Sequence, residues 1–478
     1  MTTTQLERPT SHAAAPDPGQ PTLTWKLLAG TAIAAFGAVG ITSSVEPVVG
    51  WSILGAVSAI AVFLLCAYRP IIATYVYFAT LPIVAGIDRD HLIPLVRPNE
   101  AILTLVLLGA MVGGYLRLCQ GARWPVIMTR ADLALAVFAF FSTVWPLASL
   151  LIRGVPPVPI EYAAVLPACK LIVVYLLVRF TVSTERATVN LIRIIVWSGA
   201  LIAVIASLQT LKVGWVIAAL HTVWLPDEDV ADIAERGATT LASPIVTGDF
   251  IIIALILVIC CNARKLLGTR ESLFLGTILG IGVFAAGQFS TWISAIVAFG
   301  LLAWRFPELR RRAVRALPLM GLAVAVGAPA LVTRLEGFSG LGLPVSWLGR
   351  YDNLTNFYLP RFDVTHILLG VSPEPVLQAP ETWREVIYLE AGYLYFLWIG
   401  GIPLLIAFAY LSVVVLRTVR IVRLRLDARG ACGAALEIVW WFVLVLTVID
   451  PHLTLRGTGD LIFALLAITV GRFRDQRV

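Results

Sequence analysis

A charged side chain in or beside a long apolar run is costly, so such residues are the first candidates for chemistry. Lys170 sits in the middle of LPACKLIVVYLL with no charged residue within a helical turn. It would either contact a substrate or be neutralised by the backbone of another helix. Arg236 closes an acidic segment (Asp227, Glu228, Asp229, Asp232, Glu235) and precedes Gly237, Ala238, Thr239 and Thr240, which lead into an apolar stretch. An arginine near a helix N-terminus suits phosphate, because its fork and the free backbone N–H groups converge on one anion. An ion pair with Glu235 or Asp232 is the plainer alternative. Asp249, about one turn into that stretch, is a second buried-charge candidate.

Further on, GRYDNLTNFYLPRF sets Arg350 and Arg361 eleven residues apart. If the stretch is helical, about three turns separate them and both project to one face. With Arg236 and Lys170 they would form a clamp for pyrophosphate, and Tyr351 would offer a ring to the substrate beside them. Surface pairs with Asp352 and Asp363 are the competing use of these arginines. Glu390, in YLEAGY, stands at the edge of another apolar run. A partly desolvated carboxylate there suits general-base work on a sugar hydroxyl, and it equally suits a helix N-terminal acid. Glu381 and Glu385 are less buried competitors.

Two clusters, Asp88-Arg89-Asp90-His91 and Asp450-Pro451-His452 with Arg456 and Asp460, offer two acids and a histidine each. Neither has the fixed spacing that marks a metal site. His221 and His366 read as loop residues. The chain has no P-loop, Rossmann fingerprint, zinc spacing or nucleophile elbow, which argues against ATP-driven transport within this polypeptide.

These residues are set in an apolar chain. Of its 478 residues 59% are hydrophobic and 14% charged, whereas soluble domains carry about 25% charged residues. Mean hydropathy is +0.88. A soluble fold is excluded, and runs of about 20 apolar residues recur along the sequence. The run Ser272–Trp304 is too long for one span and has a polar break, Gly287-Gln288-Phe289-Ser290-Thr291. As a helix pair it puts the basic clusters around Arg264 and Arg310 on one side, as the positive-inside rule requires. The expected architecture is therefore an all-α polytopic membrane protein of about 14 transmembrane helices with both termini cytoplasmic. Residues 1–24 read as a disordered cytoplasmic tail rather than a signal peptide. Residues 25–471 form one transmembrane helical domain, with outer loops at 212–243 and 333–390. Residues 472–478 are a basic cytoplasmic tail. The aromatic side chains of the second loop predict that it folds against the membrane surface. All six cysteines fall in spans or cytoplasmic loops, so no disulfide framework is implied. The net charge of +7 becomes basic inside and acidic outside, which leaves nucleic-acid binding without support.

The order of features over roughly residues 160–420 carries a resemblance. Arg236 and Gly237 with small polar residues come first, then the helix pair with its Gln288-Phe289-Ser290 turn. GRYDNLTNF, the Leu-Leu-Gly-Val segment at Leu368–Val371 and LEAGYLYFLWIGGIPLL follow. This series resembles the O-antigen ligase and O-antigen polymerase superfamily of bacterial membrane proteins. The resemblance implies a multi-pass protein of the bacterial cytoplasmic membrane whose site faces the periplasm. It implies a polyprenyl-pyrophosphate-linked glycan as donor, a glycan acceptor, the lipid bilayer as setting and a chain-length regulator as a candidate partner. No cofactor or metal is required, since the pyrophosphate is already a leaving group. Arg236 and Arg350, supplemented by Arg361, would hold it.

The family's ligases carry a histidine where this chain has Glu390, which favours polymerisation of repeat units, with Glu390 taking the proton of the acceptor hydroxyl. Three other readings remain: ligase-like transfer to another acceptor, a metal-dependent polyprenyl-monophosphate-sugar transferase using Asp88 and Asp90, and a flippase or exporter of lipid-linked glycans.

Overall fold

A computed structural model describes residues 47–88, 96–121, 126–226, 228–235, 237–287, 289–305, 345–378 and 386–471. Arg236, Asp90, His91, Gln288, Glu381, Glu385, both tails, and the apolar runs within 25–46 and 306–344 lie outside the described residues. The described part is almost wholly helical. It contains one antiparallel pair of two-residue strands, β1 (Leu377–Gln378) and β2 (Val386–Ile387), with Leu377 opposite Ile387.

Among the described residues seven helices are long and apolar enough to cross a membrane, with mean hydropathy between 1.6 and 2.6. They are α3 (Pro98–Cys119), α4 (Arg130–Ile152), α5 (Pro159–Thr181), α6 (Glu185–Thr210), α9 (Pro244–Ala263), α14 (Gly392–Val422) and α15 (Ala428–Leu446). Their starts are written in the sequence. Thr129, Thr184, Ser243 and Asp427 each accept a backbone N–H of the first turn that follows them, which satisfies donors that hydrocarbon cannot. The apolar run after Ser272 is two helices, α10 (Thr269–Ala285) and α11 (Phe289–Arg305). The break falls at Gly287, whose φ of 66° favours glycine.

The bundle encloses α9, α15 and the 13-residue α16 (Thr458–Val470), every residue of which is buried. At about 1.5 Å per residue α16 is some 20 Å long, so it sits inside the protein rather than against lipid. Outward-facing apolar side chains such as Leu108, Met111, Ile406 and Val413 are exposed, as expected where the solvent is hydrocarbon.

The first outer segment, 212–243, folds as α7 (Gly214–Val223), α8 (Val230–Glu235) and a 3₁₀ turn (Thr239–Leu241). Gln209 pins it from α6, donating to the Ile233 carbonyl (2.7 Å) and accepting from Thr239 N–H (3.0 Å). In the second, α12 (Val345–Asn353) and α13 (Val364–Leu369) flank a π-turn (Leu354–Tyr358) and a 3₁₀ turn (Leu359–Arg361). The single helix through Arg350 and Arg361 that their spacing suggested is thus absent. The π-turn widens the winding, and Pro360 cannot donate to a continuing ladder.

The second segment is anchored by aromatic contact on α14. Tyr358, fully buried, packs edge-on to Trp398 at 5.0 Å and donates to the carbonyls of Pro375 and Ile387. Phe362 meets the same indole at 5.7 Å.

A break in α14 completes the dock. Gly401 adopts φ 64° and ψ −162°, a region open essentially to glycine alone. The Trp398 carbonyl, released from the helical ladder, accepts Val371 N–H at 2.6 Å. Gly370 and Gly401 allow this approach: a Cβ on either would lie 2.5–2.6 Å from the facing carbonyl oxygen. The Leu-Leu-Gly-Val segment and the Ile-Gly-Gly-Ile-Pro segment are therefore two halves of one contact.

Candidate functional site

The loop between α15 and α16, residues 447–457, together with the start of α16, gathers the ionisable side chains of one end of the bundle. Its four charged or titratable positions each reach a different element. Asp450 accepts from Arg350 Nη1 at 3.2 Å. His452 Nδ1 lies 2.5 Å from Asp249 Oδ2. Arg456 reaches Asp88 at 2.6 Å, and Asp460, in the first turn of α16, accepts from Lys170 at 2.8 Å and from the Tyr77 hydroxyl at 2.5 Å. Tyr77 comes from α2 (Ile71–Val84).

Beside this loop lies a cleft of about 190 Å³. Trp347, Tyr351, Tyr358 and Tyr388 form its aromatic lining, and Arg350 and Glu390 bring the charge. Arg350 Nε lies 2.8 Å from Glu390 Oε2, so one guanidinium holds both Glu390 and Asp450. Glu390 is the more open of the two, with 35% of its side chain exposed against 6% for Asp450. Burial pushes the Asp450 carboxyl up to about 6, against the opposing pull of Arg350 and His452. Glu390 stands two residues before α14, whose first turn starts at Gly392. The break at Gly401 and the anchored Trp398 fix that helix end against the long loop.

The sequence-derived residues therefore divide into groups. Arg350, Tyr351 and Glu390 come together in the cleft. Lys170 and Asp249 are buried but turn to Asp460 and His452, so Lys170 meets a carboxylate from a distant helix rather than a backbone carbonyl. Arg361 is exposed and does not line the cleft. Arg236 lies outside the described residues, while Gly237, Ala238, Thr239 and Thr240 after it are buried, with Thr240 donating to the Pro82 carbonyl. Asp88 is engaged by Arg456 and lies 3.9 Å from Arg97. Among the described residues no group of three His, Cys, Asp or Glu side chains is placed to hold a metal ion.

Asp450 and His452 were visible in the sequence only as a weak metal motif, and Asp460 only as their neighbour. The signal that points to them is the density of ionisable residues in one short connection between two apolar helices. Inside the bundle, among the described residues, Asp249 Oδ1 and His452 Nε2 make no hydrogen bond. No family model, no curated protein and no solved structure matches this chain.

Proposed function

We propose that the chain is a membrane glycosyltransferase that polymerises lipid-linked repeat units, moving a glycan from polyprenyl pyrophosphate to an acceptor sugar hydroxyl. The observation that carries this reading is the meeting of Arg350 and Glu390, forty residues apart, at 2.8 Å in a cleft lined by aromatic rings. Aromatic faces suit sugars, which present apolar C–H faces between hydroxyls. A guanidinium suits pyrophosphate.

In this scheme Glu390 accepts the proton of the acceptor hydroxyl, and its oxygen attacks the anomeric carbon. The bond from that carbon to the pyrophosphate oxygen breaks with inversion. Arg350, joined by Arg236, receives the departing lipid pyrophosphate. Tyr351 faces the sugar. Lys170 and Asp249, buried in the bundle on Asp460 and His452, act behind the cleft, and Arg361 lies outside it as a further substrate contact. The protein adopts about 14 spans with both termini cytoplasmic, and the cleft opens on the outer face of a bacterial cytoplasmic membrane.

The direct test supplies purified protein with lipid-linked repeat units and neither nucleotide nor metal. A ladder of lengthened glycans is expected. Glu390→Ala, Arg350→Ala and Arg236→Ala should each remove it while the protein remains in the membrane. Full-length polymer from the Arg350 and Glu390 variants would falsify the assignment.

A second reading, a flippase or exporter of lipid-linked glycans, is favoured by the buried pairs Lys170–Asp460 and Asp249–His452. Ionisable residues inside a bundle often mark a transport path. It predicts translocation of labelled lipid in proteoliposomes with no lengthening.

A further inference from the structure

A cavity of about 570 Å³ lies at the other end of the bundle. Three helices fix its position, since each has one end here and the other near the loops that carry Asp88 and Glu390. α2 begins here and ends beside Thr240. α3 ends here and begins at Arg97, which faces Asp88. α5 ends here and carries Glu161, which meets Ser372, in its first turn.

The lining is basic and polar. Arg69, Arg117 and Arg186 contribute three guanidinium groups, and Ser183, Thr184 and Asn190 add short polar side chains. Among the described residues no carboxylate lines it. The nearest acid in sequence, Glu185, turns instead to the backbone N–H of Ala428.

Two of the arginines are held in place. Arg117 donates to the Tyr68 carbonyl at 2.8 Å, and Arg69 stands 5.8 Å above the Tyr68 ring. The 26-residue α6 starts at the cavity with Thr184 as its cap, so the positive end of a long helix adds to the field. Ile71, Leu118 and Phe180 supply an apolar wall, with Phe180 lying directly over Gly114. Arginines, hydroxyls and a helix start on one side, with hydrocarbon on the other, match a phosphate attached to something apolar.

We propose that this cavity binds a phosphate-bearing anion, supplied by a phospholipid headgroup or by a soluble phosphate, at a site separate from the Arg350–Glu390 cleft. It does not depend on the transferase reading. The field of three arginines does not distinguish the two sources, but the apolar wall would engage only the lipid.

The test uses the full-length protein in detergent. Binding of phosphatidylglycerol and of phosphatidylcholine is counted by native mass spectrometry, and inorganic phosphate is titrated in a thermal-unfolding assay. Two variants are compared with the parent: Arg69→Gln combined with Arg186→Gln, and Arg186→Glu alone. The second keeps the fold safe, because Arg186 is exposed and an acid is favoured in the first turn of a helix. Phosphatidylglycerol binding should weaken about fivefold for each positive charge removed, with phosphatidylcholine unchanged. That result, without competition by inorganic phosphate, identifies the lipid. Stabilisation by phosphate in the parent that both variants lose identifies the soluble ligand. If both variants keep the parent's affinity for phosphatidylglycerol and its response to phosphate, the proposal is overturned.

Discussion

Arg350 divides its guanidinium between Glu390 and Asp450, so in the proposed reaction the share a pyrophosphate can claim depends on how many of those carboxylates are charged. Burial holds the Asp450 proton to about pH 6. Above that pH Asp450 is an anion and competes with the donor for Arg350. Below it the carboxyl is neutral, and one competitor for the arginine is gone. Donor KM should therefore fall as pH drops through about 6, and Asp450→Asn should show the low KM across the whole range. A KM–pH profile of the asparagine variant with the same inflection as the parent would remove Asp450 from this role. Arg350, Tyr351 and Glu390 were legible in the sequence because charge and aromatic residues at the edge of apolar runs stand out. Asp450 stood out only as part of a weak metal motif, because its partnership with Arg350 spans a hundred residues.

The helices themselves were largely legible, since apolar runs end where caps, glycines and arginine clusters begin. Contacts between elements were not. The unusual backbone at Gly401 follows from its docking against Gly370, and neither sequence segment shows that alone. Gly401→Ala places a side chain where φ is 64° and the Leu368 oxygen would be 2.5 Å away. A cost of about 2 kcal/mol or more is expected, read as a lower midpoint of thermal unfolding in detergent. Because the break positions the end of α14, the Arg350–Glu390 contact should loosen and turnover fall. An unchanged midpoint with full activity would show that the loop docks without this break. The enclosed α16 poses a similar test. Lys170→Met strands the Asp460 carboxylate inside the bundle, which typically costs about 3–5 kcal/mol. Combining it with Asp460→Asn should recover much of that loss. A double variant no more stable than Lys170→Met would mean that the ion pair is not what Asp460 needs.

At the scale of the whole molecule the charges and cysteines bear on orientation. The cavity with Arg69, Arg117 and Arg186 lies at one end of the bundle, and the cleft with Glu390 and Asp450 lies at the other. By the positive-inside rule the arginine-rich end would be cytoplasmic, and the proposed cleft would then face outward, where a lipid-linked glycan would be met. One native residue can test that assignment. Cys119 closes α3 next to Arg117 and is exposed, whereas Cys66, Cys260, Cys261 and Cys432 are buried and Cys169 is partly so. A membrane-impermeant maleimide should therefore leave the protein unlabelled in intact cells and label it once the membrane is permeabilised. A cysteine placed at Thr365, exposed on α13 in the same segment as Arg350, should react before permeabilisation and serve as the outward control. If Cys119 reacts in intact cells while the Thr365 site is protected, the orientation is reversed. The cleft would then face the cytoplasm, and a periplasmic polymerase could not be built on Arg350 and Glu390.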